Sequence, residues 1–292
     1  MRKYVITTDD TTDLPQEYYL KYNLNLLHLS YVVNDVTYDS VDRSMSNEEF
    51  YEAIRNGAMP FTQQVNPENS RILFDKLVRE GFDIIHIAFS SGLSGTYNSA
   101  CIGAEEVRDE YPDSKITIID SLCASMGEGL LVLEALKRQE AGMEYNELVD
   151  WIEASKLKLV HDVVADDLFH LQRGGRVSKV AAVVGSSLGV KPIIHLNEKG
   201  KLISYSKQRH KTSALKFIAN NLEQSIQNHD GLTTIAISHS ACPADADKLA
   251  NLIRDKIGEA DIIISNIGPT IGSHTGIGTV ALFYFANDRS KN

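Results

Sequence analysis

Asp83-Ile84-Ile85-His86-Ile87-Ala88-Phe89-Ser90-Ser91-Gly92-Leu93-Ser94-Gly95-Thr96 runs from an apolar, β-rich segment into a turn of glycines and hydroxyls, and residues 97–108 beyond it have helical character. Strand, tight turn and helix in that order form the repeating unit of a parallel sheet, whose strands need crossover connections. The same alternation extends to both sides. Residues 3–8 and 26–33 read as strands, Ser46 opens a helix with Glu49 completing a capping box, and Asn66-Pro67 looks like an N-cap followed by a first-turn proline. Ile72, Phe74, Leu77 and Val78 then supply an apolar helical face, and a strand over 115–119 and a helix over 127–138 continue the pattern.

After a helix over 145–155 the pattern changes. Residues 157–164, 192–196 and 202–206 read as strands, and the last two are joined by the short turn Asn197-Glu198-Lys199-Gly200, which implies antiparallel pairing. A helix over 213–227, a strand over 233–238, a helix over 243–257 and strands over 261–267 and 279–285 complete the chain. The expected fold is therefore α/β with two domains. Residues 1–156 should form an N-terminal three-layer α/β/α unit with a parallel sheet, and residues 157–292 a C-terminal α/β unit with a mixed sheet. No repeat, low-complexity tract or long linker appears, so the halves should pack closely and leave a crevice.

Composition supports two cores and excludes several classes. The 292 residues suit two compact units, and 43% apolar against 23% charged is the balance of a soluble globular chain. No apolar run approaches the roughly 18 residues of a membrane span. The first ten residues turn polar and acidic too early for a secretory signal. Cys101, Cys123 and Cys242 are scattered without metal-ligand or disulfide spacing, which fits a reducing cytosol and a cytoplasmic location. A net charge of −10 disfavours nucleic acid as a partner. Locally, however, residues 173–216 carry ten Lys or Arg against the single acid Glu198, which leaves −19 on the rest of the chain. Such a stretch is either a solvated surface or a docking face for an anion, an acidic protein or an anionic membrane.

Four groups of residues carry candidate chemistry. The turn Ser90–Thr96 suits an anion, because a helix N-terminus offers unpaired N–H groups and a positive dipole end, yet a plain Ser/Thr cap in a glycine-rich turn reads the same way. It is not a nucleophile elbow, since Gly92-Leu93-Ser94 is followed by Gly95 and Thr96 and departs from G-x-S-x-G. Residues 267–278 form a second polar, turn-rich segment with His274 among hydroxyls. Its Gly276-x-Gly278 stands too near the end for a dinucleotide fold, and His274 is either a turn histidine or a donor to a buried anion. Arg173-Gly174-Gly175-Arg176 places two guanidinium groups around a permissive turn, and Arg209 follows a strand. Asp9, Asp10 and Asp13 resemble a carboxylate cluster but equally suit turn formation and capping, and Asp120 ends another strand. H-E-x-x-H, paired C-x-x-C and the phosphate-loop pattern are absent, so neither a metal nor ATP is expected as a cofactor of this chain.

Taken in order, these elements resemble the DegV family of bacterial fatty acid-binding proteins. The likeness is carried by Asp9 to Leu14, Pro60-Phe61-Thr62 before Pro67-Glu68, Ser90 to Thr96, Asp120-Ser121, Gly174-Gly175-Arg176, Lys191-Pro192, Lys207-Gln208-Arg209 and Gly268-Pro269 through His274-Thr275-Gly276, over nearly the whole chain. The resemblance implies a tunnel between two domains that holds a long-chain fatty acid such as palmitate as ligand, without a further cofactor. It implies that Thr62 and Ser94, with Gly95 and His274, receive the carboxylate. Arg209 and His274 match residues on which an ATP-dependent fatty acid kinase subunit depends for presentation of that carboxylate. Arg173 and Arg176 become candidates for docking of that partner, or for transient contact with a membrane surface.

On this reading the chain is a lipid-binding, non-catalytic subunit with a role in lipid transport or fatty acid metabolism. The alternatives are a serine hydrolase using Ser94 and His274 with Asp9 or Asp120, and a small-anion sensor. The chain departs from the family pattern at Asp10, Gln63, Val65 and Ile277, and Gln63 is expected to narrow or re-polarise the tunnel entrance.

Overall fold

The structure, a computed structural model, describes residues 2–39, 43–166, 168–177, 189–226 and 233–289. The chain opens with β1 (Lys3–Asp9), a 3-10 turn (Asp10–Thr12), α1 (Gln16–Tyr22), β2 (Asn25–Leu27), β3 (Ser30–Val33), β4 (Val36–Tyr38), α2 (Asn47–Arg55) and β5 (Phe61–Gln63). It continues through α3 (Pro67–Arg79), β6 (Phe82–Ala88), α4 (Thr96–Glu110), β7 (Ile116–Asp120), α5 (Met126–Glu140) and α6 (Tyr145–Ser155). Next come β8 (Leu159–Val164), α7 (Phe169–Arg173), β9 (Val190–Leu196), β10 (Leu202–Arg209) and α8 (Lys211–Ser225). The last elements are β11 (Ile235–His239), α9 (Pro243–Ile257), β12 (Ile262–Asn266), α10 (Pro269–Thr275) and β13 (Val280–Phe285).

The expected fold class holds. A four-stranded parallel sheet runs in the order β2-β1-β6-β7, and a six-stranded mixed sheet in the order β10-β9-β8-β13-β11-β12, whose β11 and β12 are parallel and whose other pairs are antiparallel. Local chemistry sets the helix starts. Ser46 and Glu49 form a reciprocal capping box at α2, and Asn66 Oδ1 accepts the Asn69 N–H at α3, with Pro67 in the first turn.

Alternating residues decide which layer each strand face meets. Ile84 and Ile116 pack with Phe74, Leu77, Ala100 and Val107 of α3 and α4, while Ile85, Ile87 and Ile119 face α5. On its other side α5 meets Ala236, Ala281, Phe283 and Phe285 of the mixed sheet, and α8 and α9 cover that sheet's far face through Leu215, Ile218, Leu249 and Ile253. The sequence pointed to separate cores; instead α5, buried from Met126 through Leu136, is shared by both sheets. Apolar residues dominate this stretch and its two acids, Glu128 and Glu134, are buried with them, so the helix has no solvent side there and becomes the middle layer. Gly127 permits this closeness, since a Cβ there would fall 2.1 Å from His161 Nε2.

Three local expectations are corrected. Residues 26–33 are not one strand: Leu27 ends β2 of the parallel sheet, and β3 begins a separate antiparallel sheet ordered β4-β3-β5. The run Leu26-Leu27-His28-Leu29-Ser30-Tyr31-Val32-Val33 is mostly apolar and holds no Gly or Pro, so its pattern carries no sign of the break at His28-Leu29. Residues 269–275 are helical rather than a flexible turn, with Pro269 supplying the first-turn proline of α10. The strand expected over 202–206 extends to Arg209, with a register shift between Ser204 and Ser206. Gln227 and Thr233, end points of two expected elements, flank a gap in which Gln227 itself lies outside the described residues, as does Lys179 of the basic stretch.

Candidate functional site

The turn after β6 is built by its own side chains. Ser90 Oγ donates to Gly200 O at 2.9 Å, tying the turn to the β9–β10 hairpin, and Ser94 Oγ accepts the Thr96 N–H at 3.2 Å and lies 2.9 Å from Thr96 Oγ1. Ser94 is thus the hydroxyl at the mouth of α4. Gly95 stands at the N-cap because the 61–65 segment comes close: a Cβ there would lie 2.1 Å from Gln64 Oε1.

Strand alternation in β5 turns Thr62 inward and Phe61 and Gln63 outward. Thr62 Oγ1 is 2.8 Å from Nε2 of His274, which α10 brings from the other end of the chain. Burial, with the nearby cations Arg176 and Arg173 and His170 adding to it, pushes the His274 imidazole down to about 4, so the ring is neutral. Its Nδ1 is buried and has no hydrogen-bond partner among the described residues. Gly174 allows the ring that position, because a Cβ there would fall 2.2 Å from Nδ1.

Thr62, Ser94 and His274 line one cavity between the two large sheets, with about 790 Å³ of space between the atoms, its opening included. The rest of the lining is largely hydrocarbon from both halves: Leu29, Phe89 and Leu93 on one side, Leu171, Ile194, Leu196, Leu202, Ile271 and Phe283 on the other. The lining, mostly apolar with a few polar groups, is that of a small-molecule pocket.

The deeper polar atoms are already engaged. His161 Nε2 accepts the Ala124 N–H at 3.2 Å, which leaves Nδ1–H to donate to Leu159 O at 3.1 Å, and burial followed by the charge of Arg289 pushes this ring down to about 3. Ser125 Oγ donates to Asp13, and Thr279 Oγ1 donates to Thr275 O. Thr62 and His274 pair with each other and Ser94 with Thr96, which leaves the buried His274 Nδ1 as the lining atom without a hydrogen-bond partner among the described residues.

The three arginine residues lie in different surroundings. Arg176 lines the cavity, its Nε donating to Leu93 O at 2.9 Å and burial lowering its pKa. Arg173 donates to the carbonyls of Met59, Pro60 and Ser273, which fastens α7 to the β5 approach and to α10. Arg209 ends β10, is exposed and does not line the cavity. Lys191 and Lys211 meet Asp166 at 2.9 and 3.0 Å, so the basic stretch is partly neutralised from within the fold.

The acidic residues are structural acceptors. Asp9 Oδ2 takes the Phe89 N–H, Asp10 takes the Leu29 N–H, Asp13 takes the Gly268 N–H, and Asp120 takes those of Ser91 and Leu122. No group of three His, Cys, Asp or Glu among the described residues is arranged for a metal ion. The hydrolase relay is not assembled: the Nε2 of His274 faces Thr62 rather than Ser94, and Asp9 and Asp120 are held by backbone N–H groups. The departures from the family pattern are also resolved in place. Gln63 accepts from Ser30 Oγ on the outer face and does not narrow the cavity, Val65 packs with α3 and α4, and Ile277 packs beside Tyr31 and Phe50.

A family model described as "Uncharacterised protein, DegV family" matches residues 3–287. The chain belongs to the DegV family. A DegV domain-containing protein of Clostridium perfringens is 41% identical over 290 residues, covering 99% of each chain. Among solved structures, a fatty acid binding DegV family protein of Streptococcus agalactiae superposes with a TM-score of 0.86 at 28% identity, over 99% of this chain and all of that one. DegV of Bacillus subtilis, described as a fatty acid binding protein, superposes with a TM-score of 0.83 at 26% identity, over 98% of this chain and 100% of that one. The two sheets with a cavity between them are thus the framework of a DegV family member. Among the described residues no helix is long and apolar enough to cross a membrane.

Sequence reasoning missed Arg176 as a cavity residue and missed His161 and Arg289 altogether. A charged residue after two glycines gives no sign of which way it turns. His161 alternates with Asp162 on a strand whose faces both become buried, so its period carries no direction.

Proposed function

We propose that this DegV family chain binds a long-chain fatty acid in the cavity between its two sheets, with the carboxylate at Thr62, Ser94, Gly95 and His274. The observation that carries this reading is the composition of the cavity wall: a lining that is largely hydrocarbon, with the Thr62 and Ser94 hydroxyls beside an imidazole whose buried Nδ1 has no hydrogen-bond partner among the described residues. The fatty acid-binding relatives of Streptococcus agalactiae and Bacillus subtilis support it. Burying about 14 methylenes at ~0.8 kcal/mol each gives an upper estimate of about 11 kcal/mol, so the tail supplies affinity. The head cannot lose its water without replacement donors, so the polar end supplies orientation. A small-anion sensor would have no use for the apolar length.

On the same reading the protein is a cytoplasmic, non-catalytic carrier without a cofactor. Its domains divide at residues 156 and 157. It presents the carboxylate to an ATP-dependent fatty acid kinase subunit, with the exposed Arg209 and the cavity-lining His274 as the presenting residues. Arg173 and Arg176 border the surface on which that subunit, or transiently a membrane, would dock. Mass spectrometry of organic extracts from the purified protein, followed by uptake assays with palmitate and oleate, tests the binding step. Copurifying or exchangeable fatty acid is the expected result; an empty extract with no uptake of either acid would remove the reading.

A further inference from the structure

We propose that Asp13 is the positioning residue of the head-group site, its ionised carboxylate fixing α10, and with it His274, against the turn at Ser125. This rests on the fatty acid reading and deepens it. Asp13 follows the 3-10 turn in left-handed backbone, at φ 51°, with its side chain buried between the halves. Its Oδ1 accepts the N–H of Gly268, the residue that opens α10, at 2.8 Å. Its Oδ2 accepts from Ser125 Oγ at 2.5 Å, and its own carbonyl accepts from Ser265 Oγ.

Both side-chain contacts end on walls of the cavity. Thr270, Ile271 and His274 of α10 line it, and so does Ser125. Ser125 sits at φ 53° and ψ −142°, a conformation that a non-glycine residue keeps only where its surroundings hold it. One carboxylate therefore joins a wall from the N-terminal half to a wall from the C-terminal half.

Burial and the Asp10 carboxylate on its own turn resist the charge of Asp13. Glu128 on α5, Tyr19 on α1 and Tyr51 on α2 are the other titratable groups that feel it, each with its pKa raised in part by Asp13, while Ser238 reaches it through Ser125. Burial first, and Asp10 after it, push its pKa up to about 7 against the two hydrogen bonds that hold it down. Between about pH 4 and 7 the folded state binds more protons here than the unfolded chain, so ionising Asp13 costs stability as pH rises. A carboxylate kept at that cost suits a role in binding, since charge-assisted bonds are roughly twice as strong as neutral ones.

The test uses lipid-stripped wild-type protein and Asp13→Asn, titrated with cis-parinaric acid from about pH 6 to about pH 8. The ligand's own carboxyl titrates identically for both proteins, so the difference between their profiles belongs to Asp13. Wild-type affinity should rise about five- to tenfold more than that of Asp13→Asn across this range. The variant should melt no lower than wild type at the upper pH, whereas a merely structural residue would lose melting temperature together with affinity. Hydrogen exchange of the Gly268 and α10 amides without ligand gives an independent readout. Protection in wild type should strengthen with an apparent pKa near 7 and stay at its low-pH level in Asp13→Asn. Parallel affinity profiles with unchanged exchange would overturn the assignment. If cis-parinaric acid binds neither protein, the exchange result still decides Asp13, and the fatty acid reading alone fails.

Discussion

Thr62 and His274 are joined by a hydrogen bond of 2.8 Å across 212 positions of sequence. It links a three-residue edge strand of the small antiparallel sheet to a short helix of the C-terminal half, and it closes the polar end of the cavity. Because the imidazole is neutral, its Nε2 can accept from Thr62 or, in the other tautomer, donate to it. A carboxylate arriving at this end would take over the hydroxyl, with Ser94 lining the same cavity.

Replacing Thr62 by Val and Ser94 by Ala removes two such donors with little change in volume. Hydrogen bonds to a charged group contribute about 1.5–3 kcal/mol each, so the double variant should bind fatty acid at least tenfold more weakly. Its melting temperature should change little, since both hydroxyls are only partly buried. Fluorescence titration with differential scanning calorimetry checks this, and unchanged affinity would take these residues out of the site.

Much of the framework was legible because its signals are local. The capping box at Ser46 and Glu49, Asn66-Pro67, and the hairpin turn at Asn197–Gly200 each satisfy nearby backbone groups, so neighbouring residues suffice to place them. Thr62, Ser94 and His274 were legible only through family resemblance, and the structure brings them to one cavity. The sharing of α5 between two sheets was not legible, because the apolar run Leu130–Leu133 with Ala135 and Leu136 shows that the helix is buried but not by how many layers. The direction of Arg176 was also hidden, since it depends on Leu93 O, which lies 83 residues away.

Arg209 offers a separation of binding from presentation. It is exposed at the end of β10 and away from the cavity lining, so Arg209→Ala should leave the fatty acid Kd within about twofold of wild type, as surface substitutions generally do. Acyl phosphate formation by a fatty acid kinase subunit should fall by an order of magnitude or more, as expected for a truncated charged anchor of an interface. Equal loss of retention and phosphorylation would refute the division of roles.

The buried imidazoles predict an unusual pH response. His161 and His274 are held down to about 3 and about 4, whereas the carboxylate of Asp10 raises the pKa of His28. Nuclear magnetic resonance should therefore show the His28 ring titrating above the ordinary imidazole pKa and those of His161 and His274 unmoved down to about pH 5. Below the ordinary imidazole pKa the unfolded chain takes up protons that these two folded rings refuse. Each then lowers stability by up to ~1.4 kcal/mol per pH unit as pH falls from about 6.5 toward its folded value. Urea unfolding of His161→Asn and wild type across that window checks the sign; a variant whose stability fell just as steeply would contradict it.

Arg289 is 2% exposed, yet no salt bridge joins its guanidinium to a carboxylate among the described residues: it donates to Leu122 O at 2.8 Å and Asn197 O at 2.7 Å and approaches Cys123 Sγ at 3.8 Å. Those carbonyls belong to the loop that leads into Ala124 and to the hairpin turn between Leu196 and Leu202, so one side chain spans two walls of the cavity. Arg289→Met keeps most of the apolar stem and removes both bonds and the charge. The loss should be about 2–4 kcal/mol, two charge-assisted bonds less the recovered cost of burying a cation. The same substitution removes the second cause of the low His161 pKa, so that ring should titrate at higher pH in the variant. Calorimetry reads the first effect and the His161 resonance the second. A stability loss without any movement of His161 would mean that Arg289 acts through its bonds alone and that its field does not reach the cavity.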